Sequence, residues 1–124
     1  MTAAAQRARH AYSESATRSP RATEFDLLSD ISRRLRRAVA NAETDHPELA
    51  AAIHANRRIW TALAADVADP GNALSPELRA RVFYLARFCD AHSQKVLRGE
   101  ADATVLLDIN AAVLSGLAGH PGAA

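Results

Sequence analysis

A single cysteine, five glycines and six aromatic residues in 124 positions leave little of the material from which disulfide frameworks, phosphate-cradling loops and aromatic-dense cores are made. Cys89 has no partner for an internal disulfide, which points to a reducing compartment. No apolar run approaches the ~18 residues a bilayer-spanning helix requires. Met1 to Ala5 pass directly into Gln6 and Arg7 without the apolar stretch of a secretory leader, so a cytoplasmic protein is expected. Five histidines, His10, His46, His54, His92 and His120, are dispersed with no pair at metal-ligand spacing. Gly-rich phosphate loops, a nucleophile elbow and a His-Glu-x-x-His pattern are likewise missing. No metal or cofactor is therefore expected, and the chain does not read as an enzyme.

What is present is a large apolar fraction, 48%, much of it alanine. Alanine favours helix, so an all-α fold is expected, and the length suits one domain. The formal net charge of +1 gives no global field that would demand a polyanionic partner, yet the charge is unevenly placed. Residues 1–40 carry eight arginines against four acids, and residues 41–124 carry seven basic residues against ten acids.

Apolar residues recurring three and four apart mark the helices. Phe25, Leu28, Ile31, Leu35 and Val39 place one between Ser19-Pro20 and about Asn41. Asp45-His46-Pro47-Glu48 is a second start signal, opening a helix with Leu49, Ile53, Trp60, Leu63 and Val67 on one stripe. Asp69-Pro70-Gly71-Asn72 is turn chemistry, with Asn72 read as a turn residue, and Ser75-Pro76 is an N-cap followed by a first-turn proline. The helix so begun has a seam of Leu78, Val82, Leu85, Cys89, His92 and Val96, flanked by Phe83 and Leu97 on one side and by Tyr84 and Phe88 on the other. That surplus of apolar surface suits either a central helix or one wall of a groove. Gly99 suits the position after its last turn, and Asp102 opens a final helix with Leu106, Ile109, Asn110, Val113 and Leu117. The expected architecture is a small bundle of four to five helices over residues 19–118, with short turns. Residues 1–18 read as a frayed helix or a disordered arm, and residues 119–124 as a flexible tail.

Three features carry candidate chemistry. Trp60, the only tryptophan, lies on an apolar stripe beside Arg57 and Arg58, and reads either as core or as a buried anchor in a binding groove. Asn56 and Asn110 each interrupt an apolar face, where a buried amide needs partners, and they read as structural ties. Arg33, Arg34, Arg36 and Arg37 form a basic cluster, but Asp30 is spaced to pair with two of them and no aromatic is interleaved to stack a base. A solvated face is the simpler reading, and nucleic acid is not the expected partner.

In order along the chain, Ser19-Pro20-Arg21 with Glu24, Asn56-Arg57-Arg58-Ile59-Trp60, Asp69, Asn72-Ala73-Leu74, Leu78-Arg79, Ser93, Val96-Leu97 with Gly99, Asp108-Ile109-Asn110 and Gly116-Leu117 resemble the FlaF family of bacterial flagellar proteins. The resemblance implies a cytoplasmic factor in flagellin synthesis and export, most directly an export chaperone that binds newly made flagellin through an amphipathic terminal segment. The alternative it leaves open is a regulator of flagellin expression acting on messenger RNA, directly or through FlbT. On the carrier reading, Trp60, Leu63, Phe83 and Tyr84 line the binding surface and Arg57, Arg58 and Arg79 set orientation. Asn56, Asn72, Ser75 and Asn110 then serve turns and caps.

Overall fold

A computed structural model describes residues 20–119, with side chains described for 23–116. Four helices account for most of them: α1 (Pro20–Ala40), α2 (His46–Ala68), α3 (Pro76–Leu97) and α4 (Thr104–Gly119), with no strand among the described residues. The arm expected before residue 19 and the tail expected at the C-terminus fall outside the described residues, except that Gly119 closes α4.

Local chemistry sets the boundaries. Asp45 Oδ1 accepts the Glu48 amide at 3.1 Å with Pro47 in the first turn of α2, and Ser75 Oγ accepts the Leu78 amide at 3.3 Å ahead of Pro76 in α3. Both caps satisfy amides that the first helical turn leaves without partners. α3 ends in a Schellman motif: Gly99 at φ 76° donates to Val96 O at 2.9 Å and Glu100 donates to Lys95 O at 2.8 Å. Asp102 Oδ1 then accepts the Thr104 amide at 2.9 Å, a bond that holds its carboxyl below the usual range and starts α4.

Contacts along the helices run in opposing registers. Arg79 reaches Val67 and Arg57 reaches Asp90, so α2 and α3 are antiparallel; Arg34 with Glu48 and Glu24 with Asp66 give the same relation for α1 and α2. α2 packs extensively on α1 and α3, and α4 packs on α1, while α3 and α4 touch only sparsely. Leu28 and Leu35 of α1, Ile53 and Trp60 of α2, Cys89 of α3 and Leu106 of α4 are the largest fully buried apolar side chains among the described residues. Burial of the Cys89 thiol in apolar surroundings pushes its pKa up to about 12.

Candidate partner-binding surface

The indole of Trp60 is 1% exposed and lies in the buried core. Its Nε1 donates to Asn110 Oδ1 at 2.8 Å. An indole N–H can only donate, so the Asn110 oxygen must face it, and that turns Nδ2 toward two acceptors, Asn56 Oδ1 at 2.7 Å and Ser32 Oγ at 3.0 Å. Four buried polar side chains from α1, α2 and α4 thus close on one point of the core. Asn110 ties α4 to α1 and to Asn56 of α2, whereas Asn56 Nδ2 has no hydrogen-bond partner among the described residues. Leu63 is also interior. Neither Trp60 nor Leu63 presents an exposed surface, because the stripe they share is turned inward among the helices.

The exposed apolar surface lies on α3 instead. Tyr84 is 68% exposed, Phe83 41% and Phe88 40%. Phe88 stacks on His92, ring centres 5.5 Å apart, and His92 Nε2 is 2.8 Å from Asp102 O, which braces this face against the α3–α4 turn. Phe83 borders a shallow depression whose rim carries Arg57, Thr61, Arg87 and Asp90. Arg57 grips Asp90 Oδ1 through Nε and Nη2 at 3.1 and 2.8 Å, while Arg58 is exposed one residue on. Phe88, which the sequence pattern puts beside Tyr84, is exposed with it, while Phe83 is exposed on the side of α3 that meets α2.

Arg79, expected to set the orientation of a partner, makes contacts within its own chain. Its Nε donates to Val67 O at 2.8 Å and its Nη2 to Asp69 O at 3.1 Å, which closes the open carbonyls at the end of α2. Asn72 Oδ1 accepts the Leu74 amide at 2.9 Å in the same connection and helps seat Leu74 in the core.

In the basic cluster, Arg33 pairs with Asp30 and Arg34 with Glu48 at 2.7 Å, which leaves Arg36 and Arg37 as exposed cations there. The Arg34 hydrogen bond holds the Glu48 carboxyl below its ordinary pKa. No group of three or more His, Cys, Asp or Glu side chains suited to a metal ion occurs among the described residues.

A second ionisable feature joins α1 to α2. Glu24 faces Asp66, and its pKa is pushed up to about 8, by burial first and then by hydrogen bonding to and repulsion from Asp66. Asp66 Oδ2 is buried without a hydrogen-bond partner among the described residues. Glu24 therefore keeps its proton near neutral pH.

The family model for the flagellar protein FlaF matches residues 6–117, most of the chain. The chain belongs to the FlaF family. No curated protein and no solved structure shows significant similarity to it. Its role is therefore flagellar, and the four-helix arrangement of residues 20–119 is the scaffold on which this family member carries it. No helix among the described residues is long and apolar enough to cross a membrane.

Proposed function

We propose that this FlaF-family protein is a flagellar assembly factor that binds newly made flagellin in the cytoplasm as an export chaperone. The observation that carries this reading is the outer face of α3, where Phe83, Tyr84 and Phe88 stand exposed within six residues of one helix. Exposed aromatic side chains beside a charged rim are the composition of a protein-binding site. Flagellin's amphipathic terminal segments would otherwise self-associate, and an amphipathic helix laid on this face buries the apolar side of both partners. Arg58 and Arg87 are placed to meet carboxylates of the incoming segment, and Arg57 can do so only by sharing or leaving Asp90. Trp60 and Leu63 support the face from within.

Export requires release, so the affinity should be micromolar, about −8 kcal/mol. Calorimetric titration of flagellin into the protein should give saturable binding with a negative ΔCp. Tyr84→Ala combined with Phe88→Ala should weaken binding by roughly tenfold or more while the thermal midpoint stays close to that of the parent. Absence of saturable binding would refute the carrier reading and turn attention to flagellin messenger RNA or FlbT, with exposed Arg36 and Arg37 as the residues to neutralise first.

A further inference from the structure

Two shallow depressions along the α2–α3 seam share Arg57, Thr61 and Asp90. One continues over Phe83 and Arg87 of α3, the other over His54 and Arg58 of α2. The Arg57–Asp90 ion pair stands where they meet, so a segment that occupies both must lie across it. Small side chains, Ala64 and Ala86 in the first depression and Ala62 and Ala65 in the second, let the backbone of a helix approach closely. Among the described residues the seam presents three guanidinium groups, of Arg57, Arg58 and Arg87, and one carboxylate, of Asp90.

The pair itself is poorly matched. Arg57 directs Nε and Nη2 to the same oxygen, Asp90 Oδ1, at 3.1 and 2.8 Å, while Asp90 Oδ2 accepts from Gln94 Nε2 at 3.2 Å. A guanidinium fork is met best by a carboxylate that offers each N–H its own oxygen. The Asp90 side chain is 54% exposed, and an ion pair so open to water contributes little and exchanges readily. We propose that Asp90 is an internal stand-in for a carboxylate of the partner: an acidic amphipathic helix laid along the seam takes the Arg57 fork with both oxygens of one carboxylate, and Asp90 takes it back on release. The inference rests on the carrier reading and names the chemistry of the segment carried. That segment has Asp or Glu on the flank facing Arg57, Arg58 and Arg87, and a small or aliphatic face toward the alanines and Phe83. Asp90 thereby lowers the affinity for the partner and favours its release.

The test is calorimetric titration of flagellin into the parent, Asp90→Asn, Arg57→Gln and the double variant. Asp90→Asn removes the competing charge with little change of shape, and should tighten binding about two- to fivefold, the range spanned by exposed ion pairs. In the Arg57→Gln background the gain should largely vanish. In the parent, the side-chain Nε–H signal of Arg57 should shift when flagellin is added. Equal tightening in both backgrounds would overturn the proposal, because Asp90 would then merely repel an acidic partner. Unchanged or weaker binding by Asp90→Asn would also overturn it and make Asp90 a group that positions Arg57, with flagellin binding by the parent, and so the carrier reading, left intact. Flagellin bound by none of these proteins would remove the carrier reading and this inference with it. Self-association of Asp90→Asn in sedimentation without flagellin would assign the seam to a second copy and overturn the proposal as well.

Discussion

Replacing Asn110 tests the centre of the fold. Asn110→Ala removes the acceptor for the Trp60 indole N–H and the donor to Asn56 and Ser32, all in a site where Asn56 and Asn110 have no exposed surface. A buried polar group stripped of its partner costs about 1–3 kcal/mol, and here at least the indole and the Asn56 amide are stripped. The lost side-chain volume adds to this, and partial relaxation subtracts, so a net loss of about 3–5 kcal/mol is expected. Against the 5–15 kcal/mol of an ordinary domain that is a large fraction, a fall in thermal midpoint of roughly 15–25 °C. Urea unfolding followed by fluorescence of Trp60, the only tryptophan, reads both stability and the polarity around the indole. Asn110→Leu separates the terms: it restores volume but not hydrogen bonding, and should still cost about 2 kcal/mol. Trp60→Phe should then be less costly in the Asn110→Leu background than alone, by about 1–2 kcal/mol, because the acceptor it would orphan is already gone. A loss below about 1 kcal/mol for Asn110→Ala, with Trp60→Phe equally costly in both backgrounds, would refute the network as an energetic unit.

Arg79→Ala should lower stability by about 1–2 kcal/mol through loss of the α2 cap, and a protein of unchanged midpoint with impaired flagellin binding would restore Arg79 to the contact surface. Gly99→Ala should cost about 1 kcal/mol, because φ 76° is strained for any residue with a Cβ although the space beside Gly99 is open; an unchanged denaturation midpoint would contradict this. The Glu24 carboxyl holds its proton to about 8 in the folded protein against 4.5 ordinarily, so between these values the folded state binds more protons and stability must fall as pH rises. Because Glu24 is partly solvated, the loss is discounted to about 1–2 kcal/mol; Glu24→Gln should flatten the profile from pH 5 to 9, and a variant with the parent's slope would locate the dependence elsewhere.

Much of this fold was legible because its boundaries are written locally. Ser75-Pro76, Asp45 with Pro47, and Gly99 each act within four residues of themselves, so their caps and turns follow from sequence alone. Asn56 and Asn110 could be recognised as polar interruptions of apolar stripes, but not as partners. They are 54 positions apart, and what pairs them is the register of two helices, which no short window contains. Arg79 looked like a surface cation because its acceptors are carbonyls twelve and ten residues back, across a turn. The Glu24–Asp66 pair went unseen although a signal existed: Glu24 lies four residues before Leu28 on the stripe that continues through Ile31 and Leu35, and a carboxyl at such a position must find an unusual environment.

The register of α4 explains why the surfaces available for binding gather at α3. Thr104–Gly119 is apolar on most sides, a composition that by itself would let the helix rotate or slide against its neighbours at little cost. A single buried amide removes that freedom, since only one rotation brings Asn110 to Trp60, Asn56 and Ser32 at once. Those partners lie on α1 and α2, and α4 accordingly packs on α1 while barely engaging α3. The third helix is then held from one side by α2 and at its end by the His92 contact to Asp102. Among the described residues little covers its remaining surface, and Phe83, Tyr84 and Phe88 stay exposed there, Phe83 toward α2 and Phe88 toward the α3–α4 turn. A polar lock in the core thereby determines which apolar surface the described bundle leaves uncovered.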